Sequence, residues 1–125
     1  WEAASLELIP GDTYRFDTHW QVSAPTDAAW VMFAHLRGEP KPDGNVVYAQ
    51  RDSEPCDESY PTWQWRTGER IIERTHIDLP GDLAPGTYTL TIGWYDRDTQ
   101  ARLSVSDASG VRTGDDLALA TIVVR

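Results

Sequence analysis

The stretch Thr87–Tyr95, TYTLTIGWY, decides how the rest of this 125-residue sequence is read. Tyr88, Leu90, Ile92 and Trp94 fall on one phase of a two-residue period, and Thr87, Thr89, Thr91 and Gly93 on the other. That is the pattern of a strand with one apolar and one wetter face. Working outward, Thr13–Ser23 (TYRFDTHWQVS) repeats it. Tyr14, Phe16, Thr18, Trp20 and Val22 share one side, and Arg15, Asp17, His19 and Gln21 the other. Asp116–Val124 (DLALATIVV) alternates as well. By contrast Ala29–Leu36 (AWVMFAHL) is apolar on both faces, which places it in the middle of a sheet. SLELI, NVVYAQ, IIERTHIDL and RLSV are shorter strand candidates. Clusters of Pro and Gly separate the runs at turn spacing, and helical periodicity and internal repeats are absent. The reading is a single domain, an antiparallel β-sandwich of about eight strands, immunoglobulin-like or jelly-roll-like, with Trp20, Trp30 and Trp94 in its core.

Composition bounds the partners. Eleven Lys and Arg against twenty Asp and Glu leave a net charge of −9, spread along the chain. Such a field repels phosphate backbones and anionic headgroups, so nucleic acid is not an expected partner. Six Trp and five Tyr supply enough large apolar side chains for a packed core despite a mean hydropathy of −0.50. Cys56 is the single cysteine, which excludes an intrachain disulfide and thiolate zinc cages. No apolar run approaches the ~18 residues of a spanning helix, so direct membrane insertion of this segment is not expected. The sequence opens on Trp1 rather than Met and reads as a piece of a longer polypeptide, with any signal or anchor outside it.

The chemistry-bearing residues concentrate in Gln50–Trp65 (QRDSEPCDESYPTWQW), the longest irregular stretch. A G-x-S-x-G elbow is missing, and His19, His35 and His76 have no evident Ser or Cys partner. Glu54, Asp57 and Glu58 would raise the Cys56 pKa and blunt its thiolate. No enzymatic activity is expected. A glycosidase would need two carboxylates roughly 5–9.5 Å apart across a cleft, a separation that sequence does not reveal. Asp52, Glu54 and Asp57 offer hard oxygens for calcium within one loop, although without EF-hand spacing; Asp96–Asp98 and Gly114–Asp116 offer more. His35, inside the doubly apolar run, reads as a buried imidazole bonded to a carbonyl. Tyr60, Trp63 and Trp65 are the candidate ligand-binding residues. In an extended segment Trp63 and Trp65 face the same way, and flat rings stack on sugars or cap a core. Pro61 restrains Tyr60 to an extended backbone.

A series of motifs then stands in order: VMFAHL from Val31, VVYAQRDSEP from Val46, YPTWQWRTGE from Tyr60, IDLPGDLAPGTYTLTIGWYD from Ile77, RL at Arg102, and GDDLALATIVV to the end. Over about Ala28–Val124 it resembles the soluble C-terminal β-sandwich domain of bacterial mannosyltransferase-like membrane glycosyltransferases and related exported proteins. Where that family has Gly before the Arg-Leu pair, this chain has Gln100 and Ala101. The family pattern also includes Asp52, Thr62 and Glu69, read here as ties of the long loop to the sheet through side-chain to backbone bonds. Trp65 falls on the family's repeated Trp, which makes it structural and leaves Trp63 freer for contact. The resemblance implies a non-catalytic, extracytoplasmic accessory or binding module, anchored through regions outside this segment. Its partners would be the rest of its own parent chain and a glycan or protein. The alternatives are a purely structural domain that positions a catalytic membrane portion, or a small glycosidase.

Overall fold

Alternation along Thr13–Gln21 and Arg70–Asp78 produces two strands whose inner phases have to be covered. A computed structural model describes residues 4–55, 60–107 and 109–125. Its strands are β1 (Ala4–Leu8), β2 (Thr13–Gln21), β3 (Trp30–Arg37), β4 (Val47–Ser53), β5 (Arg70–Asp78), β6 (Gly86–Asp96), β7 (Val105–Ser106), β8 (Arg112–Gly114) and β9 (Leu117–Val124). β2 and β5 form one antiparallel layer, from Thr13 opposite Asp78 to Gln21 opposite Arg70. The other layer has the order β1-β9-β6-β3-β4, and β7 pairs with β8 as a small hairpin.

The layers meet through their inner phases. Phe16 and Ile77 from the narrow layer share one core with Leu36, Leu90, Ile92, Ala120, Ile122 and Val124 from the wide one. Each of these side chains except the small Ala120 contributes about 1.5–3 kcal/mol by leaving water. β3 is an interior strand, flanked by β6 and β4, as its double-sided apolarity requires. Register sets Leu36 against Leu90, Ala34 against Ile92 and Met32 against Trp94 on the inner face. Its outer face also buries Phe33. That ring lies against Gly93, where a Cβ would come within 2.4 Å of it, and beneath the Arg102 guanidinium, 4.4 Å from its centroid.

Strand order makes the sandwich immunoglobulin-like rather than a jelly roll. β2 and β5 occupy the B and E positions, facing β3, β4, β6 and β9 in the C, C′, F and G positions. At the start of β6 the Tyr88 hydroxyl donates to the Ala84 carbonyl at 2.7 Å, the tyrosine corner of such sandwiches.

Two expectations are corrected. β1 runs parallel to β9, Ala4 beside Ala120 through Leu8 beside Val124. It continues into β2 of the opposite layer, so no hairpin constrains its direction. RLSV is not one strand: Arg102 bridges to Tyr95, and Val105–Ser106 joins Arg112–Gly114. The turn before it closes without glycine, since Gln100 adopts a φ of 65°.

Candidate functional site

β4 carries the sheet as far as Ser53, so the irregular stretch is shorter than the sequence suggested. Beyond it a single 3-10 turn, Thr62–Gln64, follows the extended Pro61. Thr62 is 3% exposed; its hydroxyl accepts from the Trp30 amide and donates to the Ala28 carbonyl, both at 2.8 Å. That one side chain pins the loop to the approach of β3. Glu69 closes the other side, accepting from the Tyr60 hydroxyl and from the Arg66 amide, each at 2.5 Å. Those hydrogen bonds, Tyr60's first, hold the Glu69 carboxyl below its usual range. Thr62 thus acts as the expected tie, whereas Glu69 braces the loop internally, through a side-chain bond to Tyr60 and a local bond to the Arg66 amide. Asp52 acts differently, accepting from the Tyr95 hydroxyl at 2.9 Å between neighbouring regions of the sheet.

The turn separates the two tryptophans that an extended segment would have aligned. Residues three apart eclipse in a 3-10 turn, so Thr62 and Trp65 point inward together. Trp65 donates its indole N–H to the Tyr60 carbonyl at 3.0 Å and meets Trp94 edge to face, 5.9 Å between centroids. Trp63 points outward and is 53% exposed. A surface groove of about 390 Å³ lies there, lined by Tyr60, Trp63, Gln64, Arg66 and Glu69. A flat apolar face stands beside two charged and two polar groups.

On the inner side of the same turn lies a larger cavity of about 530 Å³, which sequence reasoning missed. Four of the six tryptophans line it: Trp20, Trp30, Trp65 and Trp94. Trp20 meets Trp94 edge to face at 5.1 Å. The Trp20 N–H donates to Thr18 at 2.7 Å and that of Trp30 to Thr26 at 3.2 Å. Trp20 and Trp30 are only partly buried, so the expectation of a closed core holds for Trp94, 8% exposed, and not for them. A two-strand layer cannot cover the inner face of a five-strand one. No one-dimensional pattern carries that mismatch.

Two of the three acids chosen for calcium have other partners. Asp52 is bonded to Tyr95, and Glu54 pairs with Arg97 at 2.7 Å. Asp57 lies outside the described residues, as does Cys56. Asp96 caps its turn at the Asp98 amide, Asp115 pairs with Arg102 and Asp116 with Arg37. Among the described residues no three His, Cys, Asp or Glu gather as a metal would require. His35 is half-buried on the outer face, tilted against Phe33 at 4.7 Å rather than bonded to a carbonyl. Burial, and then the Arg102 charge, push its pKa down.

No known family and no curated protein matches the chain. Among solved structures, a chain in the crystal structure of the complex of CaDoc0917 with CaCohA2 at pH 5.5 superposes with a TM-score of 0.37. Identity is 16%, over 98% of this chain and 96% of that one. The fold rests on strand order, register and packing rather than on this likeness.

Proposed function

We propose that the chain is a non-catalytic accessory module of a larger, membrane-associated extracytoplasmic protein, and that it contacts glycan through the Trp63 groove. One observation carries the contact: Trp63 is 53% exposed on a loop braced from both sides by Thr62 and Glu69. A ring so held loses little freedom on binding, and the neighbouring Gln64, Arg66 and Glu69 can bond sugar hydroxyls. The non-catalytic reading is supported by the acids. Glu7, Asp17, Glu54, Asp115 and Asp116 each lie within 4.0 Å of an arginine, so their charges are engaged in the fold. The location and the parent chain as partner rest only on the resemblance of the ordered motifs to those of mannosyltransferase-like membrane proteins, since no family model or curated protein matches. No helix among the described residues is long and apolar enough to cross a membrane, so in this reading attachment is supplied elsewhere.

The test is a titration with a panel of neutral and acidic oligosaccharides, followed by amide NMR shifts. Binding is expected to perturb Tyr60, Trp63 and Arg66, and Trp63→Ala is expected to weaken it by roughly tenfold or more, the loss of one stacked ring. Shifts confined to other surfaces, or no shift with any glycan, would leave the structural-domain reading in its place.

A further inference from the structure

The four-tryptophan cavity has a chemistry of its own. We propose that it is a binding site for an uncharged, predominantly apolar small molecule carrying a flat ring system, a site separate from the Trp63 groove. The cavity opens to solvent past the exposed Gln21, Ser23 and Leu103, and its volume of about 530 Å³ falls within the range of small-molecule sites. In a chain where a quarter of the residues are charged, not one residue lining this cavity is. A charged ligand would surrender its hydration there without a counter-ion.

Hydrogen bonding narrows the choice further. The indole N–H groups of Trp20, Trp30 and Trp65 are already spent on Thr18, Thr26 and the Tyr60 carbonyl. The Thr62 hydroxyl is likewise committed on both sides. A sugar would find Gln21, Ser23, Ser104 and the Trp94 indole N–H to pair with, too few for its hydroxyls, and each one left over carries a desolvation cost. What the walls mostly offer is ring faces and edges. Trp94 stands at 73° to Trp20 and 86° to Trp65 in edge-to-face contact with both, so the wall presents indole surfaces in more than one orientation, against which a flat ring can stack or set its edge. Leu103 and Leu117 complete the apolar wall.

The experiment uses the uncharged dye N-phenyl-1-naphthylamine with the whole 125-residue protein. Expected are saturable one-to-one binding, energy transfer from tryptophan to the dye, and a melting temperature that rises with dye concentration. Leu103→Trp, at a wall position 40% exposed, would fill the space and weaken binding roughly tenfold. Val105→Phe is the second filling variant, and near-ultraviolet circular dichroism establishes that each is folded. Trp63→Ala should leave dye affinity unchanged, and a glycan bound at the groove should not displace the dye. The proposal is overturned by non-saturable binding, or by folded filling variants that bind as the parent does. A dye signal that falls as sedimentation shows the protein dimerising would overturn it too, assigning the cavity to a second copy of the chain.

Discussion

The Trp63 groove and the four-tryptophan cavity share a wall, the turn Thr62–Trp65, yet they use the same residue type in opposite ways. In the groove one indole stands exposed among a tyrosine, a glutamine, an arginine and a glutamate. In the cavity four indoles crowd together, and three of them have spent their polar hydrogens inside the fold. Composition does not separate the two sites. A backbone turn with three residues per revolution does, by sending positions 62 and 65 to one side and 63 to the other.

The comparison breaks most decisively at Trp94. It is 8% exposed and braces both Trp20 and Trp65, so Trp94→Ala is expected to cost about 3–5 kcal/mol in urea denaturation. Trp63→Ala, by contrast, should fall within about 0.5 kcal/mol of the parent. Equal losses at the two positions would mean that Trp63 is not free. Thr62→Val, at the shared wall, removes both bonds of a buried hydroxyl and strands the Trp30 amide, for an expected loss of about 1–3 kcal/mol. Thr62→Ser should recover most of that loss, with the resonances of both sites returning to their parental positions. Gln100 lines neither site, so Gln100→Gly serves as a control. It relieves a left-handed backbone but gives up the exposed Gln100 side-chain bond to the Arg97 carbonyl, so stability should stay within about 0.5 kcal/mol of the parent without changing ligand or dye binding.

The smallest effect is a pH dependence. Glu69 has a folded-state pKa held below its unfolded value by Tyr60 and Arg66, so its contribution is present above the unfolded pKa and lost as pH falls through the lowered one. Over that acid window the Trp63 indole resonance should move while those of Trp20 and Trp94 stay in place. Parallel movement of all three would show that the groove and the cavity are one cooperative unit.

Part of the candidate groove was legible. Thr62 and Glu69 were singled out through the resemblance and Trp63 as the freer tryptophan, while its exposure was not readable from the sequence. The shared facing of Trp63 and Trp65 was misread because the period-two rule assumes an extended chain, and Pro61 precedes a 3-10 turn instead. Trp20 and Trp30 were assigned to the core on strand phase alone. Phase tells which face a side chain takes, but not whether the opposite layer is wide enough to cover it.

Alternation in Thr13–Gln21, Arg70–Asp78, Gly86–Asp96 and Leu117–Val124, with Pro and Gly between, was enough by itself to determine an all-β sandwich. Such patterns concern neighbours a few residues apart and the burial of one face. Only the tertiary structure decided that β1 runs parallel to β9, that two strands face five, and that four tryptophans therefore line an open volume. Strand partnership and layer width depend on contacts between residues as distant as Ala4 and Ala120, and no local periodicity encodes those.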